Sequence, residues 1–190
     1  MRRSIVVPAG LALVALLVTV PVAMSADGDD SVSARTYVVR TVEDADGVPP
    51  VPDSDCPIDA GIRTKPRGFA WSLATRASDG MVVGEQIHPV GSVSTCARLP
   101  FPIVEGDTAP TFARIELGGD TYTASGRCRA TSNGAPLPTG VVLAGCALRL
   151  KTGPPAFVGG IATSASVLTL GTVPGFQTGS FWTVRVYSTT

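Results

Sequence analysis

Four cysteines, one histidine and a few clusters of carboxylates are the side chains in this chain with which chemistry could be done. Cys56, Cys96, Cys128 and Cys146 form no Cys-x-x-Cys pair, and His88 stands at zinc-finger spacing from none of them, so neither thiol redox chemistry nor zinc binding finds its usual pattern. His88 follows Glu85 by three residues in "GEQIHPVG", a pairing that general-base catalysis could use. A histidine just ahead of a proline in an expected turn reads instead as a surface residue, and no catalytic residue is assigned. No Gly-x-Ser-x-Gly elbow, phosphate loop or dinucleotide fingerprint occurs. Gly171, Gly175 and Gly179 are spaced by four and read as bends between the last strands. Glu105 and Asp107 in "VEGDTAP", and Asp53, Asp55 and Asp59 around Cys56, carry oxygens of the kind calcium accepts. They match no EF-hand loop and read as solvated acids, so no metal and no cofactor is expected.

What the cysteines do depends on where the chain goes. It opens "MRRSIVVPAGLALVALLVTVPVAMSADGDD": two arginines, an apolar run, and the small-x-small triplet Ala23-Met24-Ser25. That order is a secretory signal peptide over residues 1–25, against the rival reading of a short membrane anchor. Cleavage leaves no stable anchor and sends the protein out of the cytoplasm, where four cysteines ordinarily form two disulfides. Without Arg2 and Arg3 the chain holds 13 basic and 15 acidic residues. Nine of the acids lie in residues 26–59, while the basic residues after that are scattered singly. Nucleic-acid binding would call for a denser basic cluster with aromatic partners, and it is not expected.

Residues 26–60 read as an acidic, proline-rich arm with one short strand, "RTYVVRTV", at 35–42. Residues 61–190 read as one antiparallel β domain. Candidate strands run over 68–76, 81–85, 90–99, 111–117, 121–129, 141–150, 161–170 and 180–187. Gly- and Pro-rich turns such as "HPVG", "TSNGAPLPTG" and "GTVPGFQTGS" separate them. With 21 glycines and 16 prolines, long helices are penalised. The expected fold is all-β: a small closed barrel of about eight strands, with a β-sandwich as the alternative.

Alternation along the strands then assigns faces. Tyr122, Ala124, Gly126 and Cys128 share one face, as do Val142, Ala144, Cys146 and Leu148. A register in which paired residue numbers sum to 274 sets Cys128 opposite Cys146 and matches apolar to apolar throughout. Cys96 falls on the other face of its strand, with Ser92 and Ser94, where it can meet the end of the arm at Cys56. The expected bridges are Cys56–Cys96 and Cys128–Cys146. Residues 161–170 show no clear face.

Four rings, Phe69, Trp71, Tyr122 and Trp182, take the presumed inner parity beside small residues such as Ala124, Gly126 and Ala144. Large beside small means either tight interdigitation or a cavity for an apolar ligand lined by these rings. A second aromatic group, Phe176, Phe181 and Phe112, is expected on the outside, as a partner surface or under the acidic arm. The expected function is an exported, disulfide-stabilised binding or interaction module, non-enzymatic, for an apolar small molecule or a protein partner. A cofactor-free isomerase or cyclase is the alternative, marked by Tyr122, His88 or an inward arginine converging on the cavity. A structural envelope protein is the third reading.

Overall fold

The computed structural model describes residues 31–42, 56, 62–63, 67–79 and 81–190. The expected signal peptide and most of the expected acidic arm, including Asp53, Asp55 and Asp59, lie outside the described residues. Nine strands follow one another: β1 (Val32–Val42), β2 (Ile62–Arg63), β3 (Arg67–Arg76), β4 (Val82–Ala97), β5 (Thr108–Leu117), β6 (Asp120–Ser132), β7 (Val141–Thr152), β8 (Phe157–Thr169) and β9 (Gly179–Thr189). Among the described residues there is no helix. Hydrogen-bonded neighbours run β4-β3-β1-β9-β8-β7-β6-β5 and return to β4. One sheet of eight antiparallel strands therefore closes on itself, which leaves no free margin to be managed around the ring. The strand assigned from sequence to the arm is a full member of it: β1 pairs with β9 from Val32 to Arg40 and with β3 from Arg40 to Val42.

The break expected at "HPVG" is absent, and β4 runs through it. Pro89 and Gly91 mark a change of partner instead. From Val82 to Pro89 the strand pairs only with β3, whereas β5 joins it at Gly91. The missing donor of Pro89 therefore costs no bond to β5. A side chain at Gly91 would set its Cβ 1.8 Å from the Glu116 carbonyl oxygen, so only glycine lets β5 approach this closely. On the other side, β1 reaches β3 no further than Ala70. Residues 71–76 and 82–89 consequently leave the ring as a two-stranded ribbon.

Inside the ring the filling is uneven. One half is packed with Val39, Phe69, Ile115, Leu117, Tyr122, Leu148, Leu150, Val184 and Val186, all buried. Each such side chain contributes roughly 1.5–3 kcal/mol on leaving water. Phe69 meets Trp182 edge-on at 5.8 Å, and Tyr122 meets Phe157 in the same manner at 5.8 Å. Towards the other end the inward residues shrink to alanine, serine and threonine. A small cluster of Ile103, Ala130 and Val142, with Leu99 and Leu168 against it, covers that end.

Candidate functional site

The hairpin of β6 and β7 takes the register expected of it. Cys128 lies opposite Cys146, Gly126 opposite Leu148 and Ala124 opposite Leu150. The Cys128–Cys146 disulfide joins the two strands with Cα atoms 4.0 Å apart, the narrow type of antiparallel pair. Gly126 is fixed by the same closeness, since a Cβ there would come 2.1 Å from the Ala147 carbonyl oxygen. Cys56 is bonded to Cys96, so the chain at residue 56 is tied to the outer side of β4. Ser92, Ser94 and Cys96 do share the side away from the interior, yet all three are buried. Ser92 Oγ donates to Glu116 Oε2 at 3.0 Å. Two intramolecular disulfides are consistent with an extracellular environment.

The small inward residues enclose a cavity of ≈140 Å³. Each ring strand offers one or more: Thr41 from β1, Arg67 from β3, Thr95 and Ala97 from β4, Ala109 and Thr111 from β5, and the Cys128–Cys146 bridge from β6 and β7. Ala144 from β7, Ser164 and Ser166 from β8, and Ser180 and Trp182 from β9 complete the wall. Trp182 divides the interior, packing on Phe69 on one side and lining the cavity on the other. Leu99, Pro100 and Ile103 line it from the covered end. The segment bearing them is held down by Gly106 N–H on the Ala130 carbonyl (2.9 Å), Ala130 N–H on the Asp107 carbonyl (2.9 Å) and Asn133 Nδ2 on the Ile103 carbonyl.

The wall is apolar in effect although many of its residues carry hydroxyls. Ser180 Oγ donates to Ser166 Oγ at 2.8 Å, Ser180 N–H donates to Thr41 Oγ1 at 2.8 Å, and Thr178 and Thr169 hydroxyls meet at 2.8 Å. Hydroxyls satisfied by one another present little free hydrogen-bonding capacity to the space they face. Trp182 Nε1 is the exception: it is buried and meets no acceptor among the described residues.

Along one wall this cavity adjoins a wider cleft of ≈660 Å³. Thr41, Arg67, Ala144, Ser166, Thr178 and Ser180 line both. Arg67 stands at the junction, half-buried, with Nη1 donating to the Thr178 carbonyl at 3.1 Å. Arg67 was not among the residues that sequence reasoning picked out. Its one signal is that it sits two positions before Phe69 on the same strand, and therefore on the inward side.

The four rings expected together are separated. Trp182 alone lines the cavity; Phe69 and Tyr122 are buried in the packed half. Trp71 does not face the interior at all. It is 41% exposed and stacks on His88, directly opposite in register, with ring centroids 4.0 Å apart. Its parity matches that of Phe69, but beyond Ala70 β3 no longer pairs with β1 and the ribbon has left the ring. His88 is thus on the ribbon, with Nε2 buried and unpaired among the described residues; the side chain of Glu85 lies outside what is described. Tyr122 Oη donates to Asp120 Oδ2 at 3.2 Å. Burial, and then the Asp120 carboxylate, push its hydroxyl up to about 12. Of the expected loose carboxylates, Asp107 Oδ2 accepts the Val104 N–H at 2.8 Å, and among the described residues no metal-binding cluster of histidine, cysteine or acid occurs.

The outer aromatic group is also divided. Phe181 projects from β9 and is 67% exposed, as expected. Phe112 lies on β5, opposite Cys96 on β4, with three strands between it and β9 by either way around the ring, so the two do not form one patch. No protein-family description, no curated protein and no solved structure matches this chain.

Proposed function

We propose that this chain is an exported, non-enzymatic binding protein that takes a small apolar molecule into the hollow half of its ring. The observation that carries the reading is the ≈140 Å³ cavity with Trp182 as its floor. A space of roughly 150 Å³ lined by apolar side chains stays dry and accepts benzene, which sets the size of the ligand body. The Ser166–Ser180 hydroxyl pair and the Thr41 hydroxyl, which accepts from the Ser180 N–H, favour an apolar guest, and Trp182 Nε1 leaves a donor for an acceptor atom on it. The enzymatic alternative draws less support: of its markers an inward arginine, Arg67, lines the cavity, but Tyr122 and His88 do not.

Trp182 is also the reporter. The chain has two tryptophans, and W71F leaves Trp182 alone, since Trp71 lies on the ribbon. Titration of that variant with toluene should give a saturable change in emission. Ligand at a hundred times its dissociation constant should raise stability by about 2.7 kcal/mol. A silent tryptophan together with an unmoved melting temperature would overturn the proposal.

A further inference from the structure

We infer that the ligand is an amphipathic anion: a small apolar body inside the ring, joined to a carboxylate that Arg67 holds where the cavity meets the outer cleft. The inference rests on the binding reading above and adds the chemical class of the guest. Arg67 is the one cationic side chain that alternation along a ring strand turns inward among those lining the cavity; Arg129, also on the wall, has the outward parity of β6, where Cys128 and Ala130 point in. One N–H of Arg67 is committed to the Thr178 carbonyl. That bond orients the planar guanidinium, which has five donors in all, and leaves the others available. Such a fork fits the two oxygens of a carboxylate.

The surroundings favour the same charge. Arg67 lines the cleft beyond the junction as well as the cavity, and no acidic side chain lines that cleft among the described residues. Asp107, the acid on the cavity wall, has Oδ2 turned back on the Val104 amide. A neutral apolar guest would leave Arg67 at the mouth with the Thr178 carbonyl as its partner and no carboxylate on the cleft wall among the described residues. An anionic guest gains a charge-assisted bond in a partly desolvated place, where such bonds are strongest.

The test compares two probes with the same ring and different heads, benzoate and benzyl alcohol, by calorimetric titration of the mature, oxidised protein. Benzoate should bind at least ten-fold more tightly, and rising salt should erode the difference. R67Q should bring the affinity ratio to within about two-fold of one, and R67K, which keeps the charge and loses the fork, should fall between. Benzyl alcohol binding as tightly as benzoate, or R67Q keeping the preference, overturns the anion inference while leaving the cavity reading intact. Failure of both probes to bind overturns the cavity reading itself.

Discussion

Replacing Ala144 by leucine distinguishes a hollow from a packed wall by the sign of the effect. Ala144 faces inward from β7, with Ala130 and Ser166 opposite it on the neighbouring strands, and it lines the ≈140 Å³ cavity. Leucine adds three carbons. At about 0.8 kcal/mol per buried methylene they are worth roughly 2.4 kcal/mol, from which about 0.5–1 kcal/mol of side-chain entropy is lost. A144L should therefore stabilise the fold by about 1.5 kcal/mol. The same change at Ala124, fully buried on β6 between Ala113 and Leu150, forces three carbons into a filled space and should cost about 1–3 kcal/mol. Urea unfolding followed by circular dichroism, with both disulfides intact, measures the two variants on one scale. A144L should also abolish the response of Trp182 to toluene. If A144L loses as much stability as A124L, the cavity does not exist and the binding proposal falls with it.

Three further outcomes rest on the described contacts. Tyr122 has its folded value raised to about 12 from an ordinary 10, so the stability tied to its neutral hydroxyl is complete below pH 10 and is lost as pH climbs towards 12. An alkaline titration by ultraviolet absorbance should show one of the three tyrosines ionising late, and Y122F should flatten the fall in stability over that window; an unchanged slope would count against burial as its cause. Replacing both Cys128 and Cys146 by alanine opens a loop of 18 residues and should cost about 3 kcal/mol, read as a lower urea midpoint. Peptide mapping without reductant should recover Cys56 with Cys96 and Cys128 with Cys146, and a Cys96–Cys128 peptide would contradict the register.

The fold was legible where both faces of a strand differ in kind. The β6–β7 register could be read because Ala124, Gly126, Cys128, Cys146, Leu148 and Leu150 are all inward and all apolar or small. The same alternation is silent on β8, whose inward set is Ala162, Ser164 and Ser166 while Ile161, Ala165 and Val167 face out. A wall facing a void needs no bulky side chains, so the pattern fades at the candidate site itself. Pro89 and Gly91 were misread because the same residues that punctuate turns also mark a strand exchanging partners. Trp71 shows that parity names a face without saying what that face meets. Arg67 escaped notice because a single arginine at the start of a strand has no pattern to belong to, and only the closed ring places it at an opening.

The ribbon of residues 71–76 and 82–89 gives the molecule two distinct local stabilities. A lone pair of strands is marginal in water at best, whereas amides within the closed ring open only when much of the ring opens with them. Deuterium should therefore reach the ribbon amides in a small fraction of the time it needs for those of β6 to β9. The Trp71–His88 stack would then be the brake on that early opening, a clasp on an appendage whose release leaves the vessel behind it shut.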